Sequence, residues 1–343
     1  MAQDHGYVYA GLGGDSGPGY VAMAGLFRSA GGDGAWERID AAIDPKPEAR
    51  TIAVDRRRPG RVLVGTQAGV WRSDDHGTTW HQTRAPKPEL AVWSLAIHPH
   101  NPDIVYAGYE PCAIYRSEDG GETWRALPVS VTFPEVTMKP APQVKRVIDI
   151  AIDPSNPNDI YAAIEVGGVI RSRDGGESWA NVTDGLYVND DALDLHRIVV
   201  SPAHGGVVST IGRIGMFRSR DAGEHWGTLP VPPSATGKRP YCRELVIAPD
   251  DPHVLYLGLG AAFESDKGAL FRSTDFGINW WPVDLGAPVK NTVFAVTIDE
   301  ARPDHVYCGI KSGDVFWSRD GGTTWSLNPL PQGARQLYAL AAG

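Results

Sequence analysis

Three charged residues of this sequence, Asp149, Arg197 and Glu244, occupy equivalent places in successive repeats and could act together. Two carboxylates that flank a bond form the usual acid–base pair for cleaving a glycosidic linkage. An arginine fork binds a carboxylate or a sulfate through two hydrogen bonds. The same three side chains could instead neutralise one another as a salt-bridged plug in a narrow channel. The residues alone leave both alternatives open.

Histidine, arginine and aromatic residues surround these three positions in the aligned repeats. As acid–base groups we predict Asp149, Glu244 and His196, with Tyr241 or Tyr338 as a helper. The predicted substrate-binding residues are Arg50, Trp93, Arg146, Arg197, Arg243 and Tyr338. Aromatic rings here could stack on a sugar or simply fill the channel. Further cations could approach from neighbouring loops: Arg213, Lys238, Arg239 and Arg335.

A repeated motif identifies the elements that would position these residues. The segment Gly69–Trp80 reads G-V-W-R-S-D-D-H-G-T-T-W. Similar segments end at Trp124, Trp179, Trp226, Trp280 and Trp325, and a degenerate copy of the motif ends at Trp36. The Ser, Asp and Gly of the motif are residues that satisfy and shape a tight turn, which favours a structural role over ligand contact. Successive tryptophans are 44, 44, 55, 47, 54 and 45 residues apart, a period typical of four-stranded propeller blades.

Each repeat contains the alternating and β-branched runs expected of strands. In one repeat these runs are Val92–His98, Ile104–Tyr109 and Ala113–Ser117, and a fourth strand starts near Trp124. At the chain ends, Tyr7–Gly11 resembles a second strand and Gln336–Ala342 resembles the missing first one. We therefore predict an all-β, seven-bladed propeller whose ring is closed by the C-terminal strand. A single domain would cover residues 1–343, with blade 1 shared between residues 6–40 and 335–343.

The blade order also predicts which face carries the site. Loops between the second and third strands, and between blades, share one face with the start of the innermost strands. Several of these loops are long, as functional loops often are: 11–25, 128–145, 183–195, 230–242 and 258–268. The polar residues of the aligned innermost strands lie at this end, and the following positions are uniformly apolar. The sequence thus predicts a site at this mouth of the central channel.

The motif S-x-D-x-G-x-T-W resembles the Asp-box of BNR repeats, and the resemblance covers nearly the whole chain. Proteins of this type include sortilin-type domains, the propeller halves of family 74 xyloglucanases and photosystem II assembly factors. Sialidases share the box but carry an F-R-I-P-like segment that this sequence lacks. The resemblance implies a fold and no particular chemistry, because one fold hosts many activities. No catalytic residue of these families can be transferred to this chain.

Composition restricts the partners. A net charge of -9 argues against nucleic-acid binding, and no apolar run is long enough for a membrane helix. Three cysteines without C-x-x-C spacing predict neither disulfides nor a zinc site, and no metal or other cofactor is expected. We expect a monomer. No signal peptide is visible, which predicts a cytoplasmic protein, or a secreted or periplasmic one if a leader has been removed.

Two functions from different classes remain. In the first, the chain is an enzyme of the glycoside hydrolase or lyase type that acts on a small anionic or carbohydrate-like ligand at the channel mouth. In the second, it is a non-catalytic scaffold that binds a protein or carbohydrate through its long-loop face. A mouth with unpaired carboxylates would favour the enzyme, and a mouth sealed by ion pairs would favour the scaffold.

Overall fold

The computed structural model describes residues 6–13, 23–58, 60–135, 144–186, 190–234, 239–263 and 265–343. Lys238 and parts of all five long loops lie outside these residues. The first fifteen strands are β1 (Tyr7–Leu12), β2 (Gly25–Ala30), β3 (Glu37–Arg38), β4 (Thr51–Val54), β5 (Val62–Thr66), β6 (Gly69–Ser73), β7 (His81–Gln82), β8 (Ala91–Ile97), β9 (Val105–Glu110), β10 (Ala113–Ser117), β11 (Arg125–Ala126), β12 (Arg146–Ile152), β13 (Ile160–Glu165), β14 (Gly168–Ser172) and β15 (Ala180–Asn181).

A short 3-10 helix, Asp190–Leu193, then leads into the second half of the chain. The remaining strands are β16 (Leu195–Val200), β17 (Val208–Gly212), β18 (Gly215–Ser219), β19 (Gly227–Leu229), β20 (Tyr241–Ile247), β21 (Leu255–Gly260), β22 (Gly268–Ser273), β23 (Trp281–Pro282), β24 (Val293–Asp299), β25 (Arg302–Ile310), β26 (Val315–Ser318), β27 (Ser326–Leu327) and β28 (Leu337–Ala342). Among the described residues, no helix is long and apolar enough to span a membrane.

These strands form seven antiparallel sheets of four strands each. Blade 1 has the order β28-β1-β2-β3, and blades 2 to 7 are formed by consecutive groups of four strands from β4 to β27. The innermost strand of every blade contacts the innermost strand of the next, and β28 lies between β24 and β4. The pairing of β28 with β1 therefore closes the ring and leaves no open sheet edge at the junction. The predicted seven-bladed propeller is confirmed, with strand ends that differ by at most three residues from those expected.

The Asp-box turns have the structural role predicted for them. In the first complete box, the Ser73 hydroxyl accepts hydrogen bonds from the backbone N–H groups of Asp75 and Gly77, at 3.2 and 2.8 Å. The Asp75 carboxylate accepts the N–H of Thr79 at 2.8 Å. Gly77 has a φ of 86°, a left-handed conformation that favours glycine. Trp80 donates its indole N–H to the Ile39 carbonyl of the preceding blade at 2.9 Å, so this box also fastens neighbouring blades.

Tyrosines of the second strands form hydrogen bonds to the following blade. The Tyr106 hydroxyl donates to the Gly175 carbonyl at 3.0 Å, and the Tyr256 hydroxyl donates to the Gly321 carbonyl at 2.8 Å. Both acceptors lie in the Asp-box of the following blade. The apolar clusters likewise lie between blades, so the ring is held by contacts that repeat around it.

Candidate functional site

The innermost strands are interrupted by β-bulges at the level predicted for the site. In six blades one residue has no partner in the register of the neighbouring strand. These residues are Tyr338, Trp93, Ile148, His196, Arg243 and Phe294. A bulge re-aims the side chains around it, and bulges are common next to functional sites. The bulges thus give the mouth of the channel a geometry that differs from the regular strand below it.

Asp149, Arg197 and Glu244 meet directly below this level. The Arg197 guanidinium donates from Nη1 to Asp149 Oδ1 at 3.0 Å and from Nε to Glu244 Oε1 at 2.5 Å. Backbone N–H groups complete the cluster, because Ile198 donates to Asp149 Oδ2 at 2.9 Å and Leu245 donates to Glu244 Oε1 at 3.1 Å. Burial raises the pKa of both carboxyls, and Arg197 opposes that rise. These contacts are those of the salt-bridged plug.

A cavity of about 520 Å³ opens above this cluster, on the long-loop face. Blades 4, 5 and 6 supply most of its walls, and Tyr338 of blade 1 contributes to them. Its charged and hydrogen-bonding residues are Arg146, Glu165, Asp191, Asp194, His196, Arg213, Arg239, Tyr241 and Arg243. A smaller space of about 120 Å³ continues into the channel and is bordered by Arg50, Trp93, Arg197 and Glu244. The cavity combines four arginines with three carboxylates and has the size of a small-molecule site.

Arg243 is the buried cation at the base of this cavity. Its residue is only 7% exposed, and its Cζ lies 4.4 Å from the ring centre of Phe294 and 5.1 Å from that of Tyr338. Among the described residues its guanidinium makes no hydrogen bond and no ion pair. Burial opposes its charge, but Tyr338, Tyr241 and nearby carboxyls favour it and raise its pKa. Its charge is thus supported by groups at a distance and not by a direct partner, so an anion in the cavity could form the direct hydrogen bonds.

His196 and Asp194 form a second buried pair next to Arg243. The Nδ1 atom of His196 lies 2.5 Å from the Cys242 carbonyl oxygen. Because a carbonyl oxygen can only accept, Nδ1 carries a proton, and in the neutral imidazole the lone pair is on Nε2. Nε2 lies 3.6 Å from the Asp194 carboxylate. The Tyr241 ring lies 4.7 Å from the imidazole, and burial raises the pKa of its hydroxyl well above its usual value.

Two cavity carboxyls have their pKa values shifted in opposite directions. Burial raises the pKa of Glu165, against the influence of Arg146, which contacts it directly. Burial also acts to raise the pKa of Asp194, but the attraction of His196 and the nearby arginines outweighs burial and lowers that pKa. Asp191 is paired with Arg213 at 3.5 Å. Each carboxylate of the cavity therefore has a basic partner.

The predicted aromatic platform is largely covered. Trp93 is 4% exposed, with the Cζ atoms of Arg50 and Arg146 at 4.5 and 4.1 Å from its ring centre. Phe294 is 1% exposed. Both rings serve as packing for arginines, which is the channel-filling alternative. Tyr338 remains partly exposed and borders the cavity.

The predicted site residues thus fall into two groups. Four of them line the larger cavity: Arg146, His196, Arg243 and Tyr338. Arg50, Trp93, Arg197 and Glu244 border the smaller channel space and not the larger cavity, and Asp149 lies beneath them in the ion-paired cluster. Arg213 and Arg239 reach the cavity as expected from their loops, whereas Arg335 is not among its lining residues.

Sequence reasoning missed several cavity residues. Glu165 closes a second strand, Asp194 precedes an innermost strand, Asp191 lies in the short 3-10 helix and Phe263 lies in a loop. The one signal for Asp194 was its place two residues before His196. No group of three metal-ligating side chains is found within the described part of the chain.

The opposite end of the channel is different in character. A space of about 610 Å³ there is bordered mainly by apolar residues, including Leu95, Ile152 and Ile298. Its few charged residues are Arg197 and the rim pair of Arg56 and Glu300, which are in direct contact. The convergence of titratable groups is therefore confined to the long-loop end.

Family models match two parts of the chain. A model described as sortilin, neurotensin receptor 3, matches residues 68–160. A model of the BNR-Asp box repeat matches residues 270–283. The matches cover the same motif from which the blades were predicted.

Similar proteins fall into two functional groups. A xyloglucanase of Acetivibrio thermocellus is 25% identical over 272 residues, which are 70% of this chain and 26% of that protein. The photosystem II assembly lipoprotein Ycf48 of a Synechococcus species is 24% identical, over 84% of this chain and 78% of that protein. The chain spans between a quarter and a half of the xyloglucanases' length in such comparisons.

Similar solved structures include members of both groups. The family 74 xyloglucanase of Xanthomonas campestris superposes with a TM-score of 0.62 at 18% identity, covering 81% of this chain and 45% of that one. YCF48 of Cyanidioschyzon merolae superposes with a TM-score of 0.56 at 17% identity, covering 84% and 87%. At these identities the likeness concerns the fold alone. The chain is a seven-bladed β-propeller built from BNR-Asp box repeats, related both to xyloglucanases and to the Ycf48 assembly factor.

Proposed function

We propose that this propeller binds a small anionic, carbohydrate-like ligand in the 520 Å³ cavity and acts on it as an enzyme of the hydrolase or lyase type. The observation that carries the proposal is Arg243, a buried guanidinium without a hydrogen bond or ion pair to any described residue. A carboxylate or sulfate would supply the missing partner through two charge-assisted hydrogen bonds. The volume of the cavity falls within the ~300–1,000 Å³ of typical small-molecule sites.

The walls suit a sugar acid better than a bare inorganic anion. Tyr241 and Phe263 are partly exposed to the cavity and offer apolar faces against which a pyranose ring can pack. Asp191 and Arg213 at the rim offer hydrogen bonds for hydroxyl groups. Acid–base chemistry would then be supplied by His196, which lies beside Arg243 on the neighbouring strand.

Thermal-shift titration tests this proposal. Galacturonate, glucuronate, sialic acid, a sulfated sugar and neutral oligosaccharides would be added to the wild type and to Arg243→Met. We expect acidic sugars to raise the melting temperature of the wild type by mass action, and not that of the variant.

The matched control is Arg218→Met. Arg218 is also a buried arginine stacked on an aromatic ring, with its Cζ 3.7 Å from the ring centre of Phe276, and it lies away from the cavity. This variant should keep the ligand-induced shift even though it loses stability. Equal shifts in wild type and Arg243→Met, or no shift with any acidic sugar, would refute an anion site at Arg243.

A second candidate is a non-catalytic scaffold, which the ion pairs of Asp149 and Glu244 with Arg197 at the mouth favour. The length of the matched proteins favours this candidate. A solved YCF48, described as bound to D1 peptide, is matched over 86% of its chain, whereas the xyloglucanase is matched over only 45% of its chain. In this chain the same Arg243 could receive the carboxylate of a peptide C-terminus. A peptide library in free-acid and amidated forms tests this. Binding of free acids alone, without turnover of any sugar, would favour the scaffold.

A further inference from the structure

We propose that the reaction in this cavity is a β-elimination on a 4-linked uronic acid, with Arg243 holding the carboxylate and His196 taking the proton from the adjacent carbon. The inference rests on the proposed function and selects one of its two reaction types. It goes further by naming the substrate class: a sugar whose carboxylate is next to the carbon that loses its proton.

The partners of the carboxylates argue against the hydrolase alternative. Hydrolysis by the usual route needs two carboxyl groups free to face the glycosidic bond. Among the described residues at the mouth, four carboxylates are already paired with an arginine. The pairs are Asp149 and Glu244 with Arg197, Glu165 with Arg146, and Asp191 with Arg213, which leaves Asp194, beside His196, as a single carboxylate where hydrolysis needs two. Elimination needs no free carboxylate in the protein. It needs a cation that binds the carboxylate of the substrate.

Arg243 supplies that cation where the chemistry needs it. Removing a proton next to a carboxylate builds negative charge onto the carboxylate oxygens. A guanidinium bound there stabilises this charge more in the transition state than in the ground state. The buried position of Arg243, between Phe294 and Tyr338, excludes water and strengthens the effect.

The tautomer of His196 fits the role of base. Its Nδ1–H is donated to the Cys242 carbonyl, so the lone pair is on Nε2. Asp194, 3.6 Å from Nε2, stabilises the imidazolium that forms when the proton arrives. Asp194 is thus a positioning residue, and His196 is the group that would touch substrate.

Tyr241 fits the role of acid. Its ring lies against that of His196, and burial keeps its hydroxyl protonated. In the step, Nε2 of His196 takes the proton from C5 and the C4–O bond breaks. The electron pair of the C–H bond becomes the C4=C5 double bond, and the leaving oxygen takes the proton of Tyr241. Solvent then returns a proton to Tyr241 and removes one from His196, so no water is consumed.

The experiment uses 4-linked galacturonate and glucuronate disaccharides with the intact protein. Elimination yields a conjugated unsaturated acid, which is followed by its ultraviolet absorbance, and product made in heavy-oxygen water carries no label. Hydrolysis yields no conjugated acid and incorporates one labelled oxygen. Deuterium exchange at C5, measured in heavy water, reports proton removal independently of bond cleavage.

Three variants separate the roles. His196→Asn keeps a donor for the Cys242 carbonyl but removes the base, so kcat should fall ~10²- to 10⁴-fold with little change in KM. Tyr241→Phe should slow cleavage while C5 exchange persists. Arg243→Met should weaken binding at least tenfold, and Arg218→Met should retain activity.

The outcomes distinguish this inference from the function on which it rests. A uronate that binds through Arg243 but yields labelled, saturated product would overturn elimination and leave the binding proposal standing. Binding with neither conjugated product nor C5 exchange would also overturn it. Absence of any Arg243-dependent binding would refute the proposed function itself. Conjugated product that is lost in His196→Asn supports the inference.

Discussion

Replacing Arg197 with methionine tests whether the charged cluster beneath the cavity is structural. Arg197 is the shared partner of Asp149 and Glu244, whose side chains are 12% and 6% exposed. Removing one member of a buried ion pair typically costs about 3–5 kcal/mol, because the remaining charge stays buried without a partner. Since 36% of the Arg197 side chain is exposed, solvent screening reduces the cost toward about 3 kcal/mol.

The loss should depend on pH in a defined direction. In the variant both carboxyls keep pKa values that burial has raised, now without the opposing arginine. A group whose pKa is higher in the folded state binds more protons there, so stability rises as the pH falls. The deficit of Arg197→Met should therefore shrink strongly toward about pH 5.

Urea unfolding followed by tryptophan fluorescence at several pH values measures both quantities. The matched control is a triple variant, Asp149→Asn, Arg197→Met and Glu244→Gln, which removes all three charges together. It should recover most of the lost stability and lose the pH dependence. A deficit below about 1 kcal/mol at pH 7, unchanged at pH 5, would refute the buried-charge reasoning. Ligand-induced stabilisation should persist in Arg197→Met if the anion site is at Arg243.

Two further predictions concern the scaffold. Tyr256→Phe should destabilise the protein by about 1 kcal/mol, because it deletes the hydrogen bond to the Gly321 carbonyl between blades 6 and 7. Tyr109→Phe should not, because the buried Tyr109 hydroxyl has no hydrogen-bond partner among the described residues; equal losses in urea unfolding would contradict this. Hydrogen bonds within the boxes lower the pKa of four Asp-box carboxyls to about 2 from the ordinary 3.8, namely Asp174, Asp221, Asp275 and Asp320. Since the folded state binds fewer protons at these four carboxyls, they stabilise the protein above about pH 4, and this stabilisation is lost as the pH falls through 2. A melting temperature that does not change from pH 4 to 2 would contradict this prediction.

The fold could be predicted because its information is local and repeated. Each Asp-box specifies one turn through residues a few positions apart, as Ser73, Asp75 and Gly77 do, and the period between boxes gives the number of blades. The closing strand β28 was predictable for the same reason, since Leu337–Ala342 has the pattern of an innermost strand. The alignment of repeats also brought His196 and Arg243 to one level.

The site depended on contacts that no local pattern encodes. The sequence identified Asp149, Arg197 and Glu244 as neighbours but left open whether they were free or paired, because that depends on ångström-scale distances between different blades. The β-bulges, and the approach of Glu165 and Asp194 to the cavity, arise from how strands twist and pack in the closed ring. The sequence by itself determined the blades and the level of the site. Only the tertiary structure decided which charges neutralise one another and that Arg243 faces the cavity without a partner among the described residues, since burial and pairing are properties of the assembled ring.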